Sequence, residues 1–428
     1  MKIPRGVRWA PCLAVIGLAA IAGPRPLIAQ VEHDTLRLES AITMAQEVNP
    51  ALRANILSAD AASERVSRVG ALPDPMVMFG LMNWSISDFS PSEPMSMNAI
   101  QLSQRFPWPG KLGFSEERFE HLASAQRLDV AEAELQLVAR VKQVYFQVAS
   151  VDRSIAIMED TRELLRDFLD IASTKYAVGT AIQQDVLQAQ VAVAQMTEDI
   201  TVMRENRRAM GARLNALLGR AATIPIGPVE LPATLDGLQP VDSLVALAVA
   251  SRPALAAAHM RTRAANAGYR AARRTLYPDL TLTLGYGHRP DFEDLFTVAV
   301  GFSIPLWAGS SQLALRREME ALESSADAKA TELYNETYAR LAELSAQAAR
   351  ARNLSELYST SVLPQARAAV ESALSAYRVG AVEYATLVQN QMTVNRYEIQ
   401  MVQLAAEYHR AVAEINALTG GDLEVENE

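Results

Sequence analysis

Large apolar residues alternate one for one with small or hydroxylated residues through Leu280-Thr281-Leu282-Thr283-Leu284-Gly285-Tyr286, and again through Phe296-Thr297-Val298-Ala299-Val300-Gly301-Phe302-Ser303-Ile304. A period of two gives a strand with two unlike faces. The polar, charged segment from His288 to Asp294 separates the two runs, so together they predict a β-hairpin. A looser version runs from Met76 to Met82 and from Asn98 to Phe106, around a loop holding Ser90-Pro91-Ser92-Glu93-Pro94.

The remainder reads as helix. No proline occurs between Pro109 and Pro225, and the strong break in that span falls near Gly179. A helix from about Leu112 to Thr174 would run ~95 Å at about 1.5 Å per residue. The helices from about Pro50 to Ala71 and from about Ala181 to Leu218 together hold about 60 residues, or ~90 Å. Two shorter helices stacked end to end therefore match one long one. In the later part of the chain Pro364 interrupts the corresponding long helix near its end, which predicts a kink.

The same order of elements is written twice. Asn49-Pro50-Ala51-Leu52 corresponds to Arg252-Pro253-Ala254-Leu255, and Pro73-Asp74 to Pro278-Asp279. Phe106-Pro107-Trp108-Pro109-Gly110 answers Ile304-Pro305-Leu306-Trp307-Ala308-Gly309. Tyr176-Ala177-Val178-Gly179 answers Tyr377-Arg378-Val379-Gly380, and Asn215-Ala216-Leu217 answers Asn416-Ala417-Leu418. Collinear matches at a nearly constant offset mark an internal duplication. The expected organisation is a first repeat over 30–220 with its hairpin at about 75–106, and a Pro- and Gly-rich linker over 221–240. A second repeat over 241–420 carries its hairpin at about 279–305, and an acidic tail occupies 421–428.

Composition places this architecture in a compartment. Lys2, Arg5 and Arg8 precede an apolar run from about Cys12 to Gly23, and Leu27-Ile28-Ala29 precedes Gln30, the layout of a cleavable secretory signal over 1–29. The run is shorter than the ~20 residues of a membrane-spanning helix. Cleavage after Ala29 removes the single cysteine, which suits an oxidising compartment. It also removes Lys2, Arg5, Arg8 and Arg25 and no acid, so a net charge of −9 becomes more negative. An acidic balance argues against a nucleic-acid partner.

Strands that are apolar on one face and small or polar on the other suit the wall of a membrane barrel, apolar toward lipid. The competing reading is a soluble sheet laid on a helix. Four strands cannot close a barrel, since membrane barrels begin at about eight, and an open edge is not tolerated in lipid. The chain must therefore oligomerise if it spans a membrane, and three copies would supply twelve strands.

These features resemble the TolC-type outer membrane efflux family over nearly the whole mature chain. The Asn49-Pro50 opening and both Tyr-x-Val-Gly turns match that family's repeat signatures. The string Gln104-Arg105-Phe106-Pro107-Trp108-Pro109-Gly110-Lys111 is similar to the version in its heavy-metal resistance branch, the cobalt-zinc-cadmium and copper-silver systems. The resemblance implies a mainly α fold with a β-barrel contribution: a homotrimer joining a twelve-stranded β-barrel to a twelve-helix α-barrel that crosses the periplasm. It implies a passive duct of a tripartite efflux system in the outer membrane, embedded in outer-membrane lipid. Its partners would be a periplasmic adaptor of the membrane fusion type and an inner-membrane transporter of the RND type.

Candidate functional residues follow from position. Val178-Gly179-Thr180 and Val379-Gly380-Ala381 join long helices at the end farthest from the hairpins, where glycine serves as a left-handed helix cap. The resemblance adds an adaptor-docking role for these tips. Asp185 and Gln188 follow the first tip at the positions where Thr386 and Gln389 follow the second, and relatives that close with acidic rings place carboxylates after the second tip. Asp185 is open to two readings: a three-carboxylate ring at a pore entrance, or a carboxylate placed favourably at a helix N-terminus.

Met76, Met78, Met82, Met95 and Met97 gather around the first hairpin; thioethers bind Cu(I), though such residues more often serve as wall hydrophobes. His33, His121, His259, His288 and His409 lie far apart, so no metal site is expected. No phosphate loop, nucleophile elbow or cysteine-centred site is present, so neither a cofactor nor an enzymatic activity is expected. The readings kept beside the efflux duct are the outer-membrane exit of a type I protein secretion system and a soluble periplasmic coiled-coil scaffold without a pore.

Overall fold

A proline that lacks an N–H and forces its predecessor into extended backbone opens each repeat. Asn49 (φ −64, ψ 118) and Arg252 (φ −68, ψ 118) are those predecessors. They separate α1 (Leu38–Val48) from α2 (Pro50–Gly70), and α5 (Val241–Ser251) from α6 (Pro253–Arg274). The computed structural model describes residues 35–87, 90–91 and 93–421. The expected signal peptide, with Cys12, and His33, Ser92 and the tail beyond residue 421 lie outside the described residues.

From α2 the chain enters β1 (Met76–Met82) and β2 (Met97–Phe106), then α3 (Lys111–Ala177) and α4 (Gln183–Leu217). The second repeat follows α6 with β3 (Leu280–His288), β4 (Leu295–Phe302), α7 (Gln312–Leu357), α8 (Leu363–Arg378) and α9 (Tyr384–Leu418). With 67 residues, α3 is ~100 Å long at about 1.5 Å per residue. α2 and α4 both pack along it, as the lengths require. The kink expected at Pro364 takes a different form. A five-residue π-helical turn, Tyr358–Val362, links α7 to α8 with helical backbone on both sides. The wider turn precedes the missing N–H of Pro364, so the chain continues where an ordinary helical ladder would be broken.

One antiparallel sheet forms in the order β1-β2-β3-β4, so the two hairpins join at β2 and β3. Near the sheet the helices lie in the order α2, α3, α6, α7. Farther away α4 and α9 flank α3, with α8 against α9. Three apolar clusters hold this layer. One surrounds Leu137, Val141 and Phe146 with α1 and Leu214, a second lies at the far tips around Leu165, Met196 and Leu387, and a third joins α5, α7 and α9 around Leu341 and Ile415. The linker wraps the waist: Glu230 N donates to Tyr145 Oη (3.4 Å), and His409 Nε2 to Pro232 O (3.0 Å).

The duplication is imperfect at one buried point. In the first repeat Asn49 Oδ1 accepts the amides of Ala51 and Leu52 at 3.0 and 3.2 Å, a side-chain N-cap. Arg252 occupies the equivalent place and cannot accept. Glu132, from α3, supplies the missing carboxylate: its Oε2 accepts Ala254 N at 3.2 Å and its Oε1 accepts Arg252 Nη2 at 2.8 Å. Arg252 Nη1 donates to Thr337 Oγ1 of α7 at 2.7 Å. Each charged side chain is about 10% exposed, so removing either partner strands the other away from water. Glu132→Ala is expected to destabilise the fold by ~3–5 kcal/mol. Adding Arg252→Asn, which restores the first repeat's cap, should recover part of that loss. Denaturant unfolding followed by circular dichroism checks both; equal stability of wild type and Glu132→Ala would refute this account of the joint.

Candidate functional site

Pairing sets which side chains share a face of the sheet. Val77 faces Leu102, Leu102 faces Leu284, and Leu284 faces Val298; the next rung is Phe79, Ile100, Tyr286 and Phe296. These residues form one continuous apolar face, with Phe79 77% and Phe296 71% exposed. The opposite face carries Gln101, Ser103, Thr281, Thr283, Gly285 and Thr297, and Ser103 Oγ lies 3.2 Å from Thr283 Oγ1 across the β2–β3 joint. Met76, Met78, Met82 and Met97 belong to this second face. That placement explains why the first hairpin alternates less cleanly: its inner positions are long thioethers where β3 and β4 have Thr, Ala and Gly. Met95 lies in the connecting loop, its carbonyl accepting from Asn83 Nδ2 at 3.0 Å. Among the described residues no group of three or more His, Cys, Asp or Glu converges to hold a metal, and no single helix is long and apolar enough to cross a membrane.

The sheet meets the helices through the Phe106-to-Lys111 string. Asp279 Oδ1 accepts Trp108 N at 2.9 Å and Lys111 Nζ at 2.5 Å, while Lys111 Nζ also donates to Tyr277 O at 3.0 Å. Trp108 stacks on Tyr277 with ring centroids 5.2 Å apart. Partial burial pushes the Asp279 carboxyl upward, but the Lys111 ammonium and the Trp108 amide outweigh it and hold the group below its ordinary range. The string thus fastens one repeat to the other at the sheet–helix boundary.

At the opposite end Gly179 (φ +74) and Gly380 (φ +76) adopt the left-handed conformation that ends α3 and α8. Thr180 N closes on Lys175 O (2.8 Å), and Ala381 N on Ala376 O (2.9 Å). A Cβ at either glycine would meet no neighbour within 4 Å, so the requirement for glycine is one of backbone conformation alone. Val178 and Val379 are 68% and 79% exposed, so each turn ends in a bare apolar tip. Thr180 and Ala381 lie beside them and are exposed.

The first tip grips the second. Lys175 Nζ donates to Tyr377 O (2.8 Å) and Arg378 O (3.0 Å), capping the C-terminal end of α8 with a cation. Tyr377 Oη donates to Asp185 Oδ2 at 3.2 Å. Asp185 therefore lies in the first turn of α4, where the helix dipole favours a carboxylate, and also holds the other repeat, a contact that no residue near it in the chain signals. Gln188 is half-buried and Thr386 and Gln389 are exposed; Gln188 and Gln389 line one groove between α4 and α9 with Leu187, Val191 and Val388. Tyr377 packs edge-on against Tyr384 with centroids 5.5 Å apart, and the Tyr384 hydroxyl is buried without a hydrogen-bond partner. Burial, and then the Asp185 charge, push the Tyr377 hydroxyl up to about 12. Burial raises Tyr384 further.

A family model described as outer membrane efflux protein matches residues 41–220 and 244–421. A pyoverdine export outer membrane protein of Pseudomonas putida is 24% identical over 314 residues, covering 69% of this chain and 64% of that protein. Its counterpart from Pseudomonas aeruginosa is 27% identical over 333 residues, covering 73% and 67%. In the first comparison the chain thus spans less than two thirds of its relative's length. The solved outer membrane protein VceC of Vibrio cholerae superposes with a TM-score of 0.76 at 17% identity, covering 90% of this chain and 97% of that one. At that identity the superposition establishes the fold.

The tyrosine pair gives the tips a signed pH dependence. A folded-state pKa above the unfolded value means the folded chain holds its protons more tightly, so this contribution is complete below about pH 10 and is lost as pH rises toward about 12. Alkaline titration should loosen the tips in that window, and Tyr377→Phe should flatten it. Limited proteolysis at 175–185 against pH reads the change; a tyrosine-independent profile would contradict it.

Proposed function

Because the chain belongs to the outer membrane efflux protein family, with both repeats matched, we propose that three copies close their sheets into one twelve-stranded barrel in the outer membrane, continued into the periplasm by a barrel of helices. The observation that carries this reading is the sheet. It has an exposed apolar face, a small and polar opposite face, and helices on only one side of its strands' span. A soluble scaffold would leave that apolar face against water, a loss of about 25 cal/mol for each Å² exposed. In lipid the same face is satisfied, and the Thr-, Ser- and Gln-bearing face lines a wet lumen.

The chain acts as a passive exit duct and catalyses no reaction. Energy comes from an inner-membrane transporter of the RND type, coupled through a periplasmic adaptor. The relatives named for pyoverdine export favour small compounds as cargo over secreted proteins, and metal ions fall within the same reading. The bare tips Val178-Gly179-Thr180 and Val379-Gly380-Ala381 form the adaptor-docking surface. Asp185, Gln188, Thr386 and Gln389 stand at the periplasmic entrance, with Asp185 contributing one carboxylate per copy to a negative constriction.

Two variants separate the pore from its coupling. In planar bilayers the wild type should conduct with cation preference, and Asp185→Asn should shift the reversal potential in a salt gradient toward zero while the amide preserves the local shape. An unchanged potential would remove the carboxylate ring and leave the duct. Gly179→Val with Gly380→Val strains backbone only at the tips, so outer-membrane trimers should persist while export of a toxic compound falls several-fold. Full export by that double variant would remove the tips from the mechanism.

A further inference from the structure

The duplication carries a register rule that reaches beyond the single chain. Matching Asp74 to Asp279 and Phe106 to Ile304 carries the pair Met76↔Ser103 onto Thr281↔Gly301, and Val77↔Leu102 onto Leu282↔Val300. Both images are pairs that exist, so the two hairpins share one register. Within the chain the repeats join where β2 of the first meets β3 of the second, through Leu102↔Leu284 and Gln104↔Leu282. The same correspondence carries β2 onto β4 and β3 onto β1. Those two strands form the two open edges of the sheet.

We propose that β4 of one copy pairs antiparallel with β1 of the next in the register Phe302↔Val77, Val300↔Phe79 and Val298↔Leu81, with Trp307 of the first copy packed on Leu72 of the second. The proposal rests on the trimeric reading above. It places each of these six residues, all on the apolar face, opposite another of that face, and it sets Gly301 and Ala299 opposite Met78 and Gly80 on the inner one. A slip by one residue would set Phe302 against the inner face, which alternation forbids.

Side chains beyond the strands follow the same correspondence. Trp108 stacks on Tyr277 at the joint inside the chain. The counterparts of these two residues, Trp307 and Leu72, are 78% and 53% exposed at the two outer edges. Beneath them Phe114 of α3 lies under the Arg270 guanidinium of α6 at 4.1 Å, and its counterpart Leu313 on α7, an edge helix, is uncovered. The bare surfaces at both ends of the chain are thus the two halves of a joint the chain already makes once. The charges differ: Lys111, which pairs with Asp279, is replaced by Ser310. The joint between copies therefore depends on Trp307 and backbone pairing where the internal one adds an ion pair.

Paired cysteines test the register, helped by a chain whose one cysteine is Cys12. Within one copy β1 and β4 are three strand spacings apart, ~14 Å at about 4.8 Å each, beyond the ~7 Å a disulfide spans. Any bridge between them joins two copies. Neighbouring rungs alternate between wide and close pairs in antiparallel sheets, so Val77→Cys with Phe302→Cys and Met78→Cys with Gly301→Cys are made side by side. After mild oxidation of isolated outer membranes, at least one pair should give covalent dimers and trimers on denaturing gels. Val77→Cys with Val298→Cys, four residues out of register, should give at least ten-fold less. Strong bridging by the offset pair, or none by either in-register pair while heat-labile trimers are present, would overturn the register and leave the duct standing. Absence of trimers in the unmodified protein would instead overturn the trimeric reading. Trp307→Ala should lower the temperature at which the trimer dissociates and Trp307→Phe should restore it; an unchanged temperature for Trp307→Ala would remove this contact.

Discussion

A strand edge cannot be left open in hydrocarbon. Each unpaired amide and carbonyl there lacks both water and a partner, at a loss of several kcal/mol per group. This chain has β1 and β4 as such edges on a sheet whose apolar face is bare. The rest of the molecule is consistent with that constraint. In the proposed trimer the sheet is finished by other copies, the helices that extend from it are of matched length, and residues at the chain's outer edges correspond to those of its internal joint.

The two repeats are not energetically equal, and the inequality has a direction. Ties within the chain are charged: Glu132 with Arg252, Lys111 with Asp279, and Lys175 and Asp185 with Tyr377 and its neighbouring carbonyl. Where counterparts can be assigned in the second repeat they are neutral, with Ser310 for Lys111, Ala376 for Lys175 and Thr386 for Asp185. A charged residue on an outward surface must remain solvated until assembly, and its desolvation counts against binding. Apolar residues such as Trp307, Leu72 and Leu313 favour association directly. The protomer's own halves are thus held by charged ties as well as by backbone pairing, while in the proposed trimer the contacts between copies would rest mainly on burial and backbone pairing.

Much of this was legible in the sequence because it is written in local chemistry. Alternation through Leu280–Tyr286 and Phe296–Ile304 gives the strands, the proline-free span after Pro109 gives α3, and Gly179 and Gly380 give the turns. What could not be read depends on residues far apart in sequence. Nothing near Arg252 indicates that its helix is capped by Glu132, 120 positions away. Nothing near Asp185 indicates Tyr377, and the pairing of Lys111 with Asp279 appears only once the hairpins lie side by side. The π turn before Pro364 is missed because proline signals a break without signalling how the backbone absorbs it, here by a wider turn over Tyr358–Val362.

The central claim is that one chain is an incomplete wall that becomes a channel only as three copies. The mass of the protein extracted from outer membranes in mild detergent, corrected for bound detergent by light scattering, tests this most directly. A particle holding three chains, each of 46.6 kDa or somewhat less if the expected signal is removed, is the predicted result. A stable, monodisperse monomer with intact sheet signal would contradict it, because two open edges would then persist in an apolar phase.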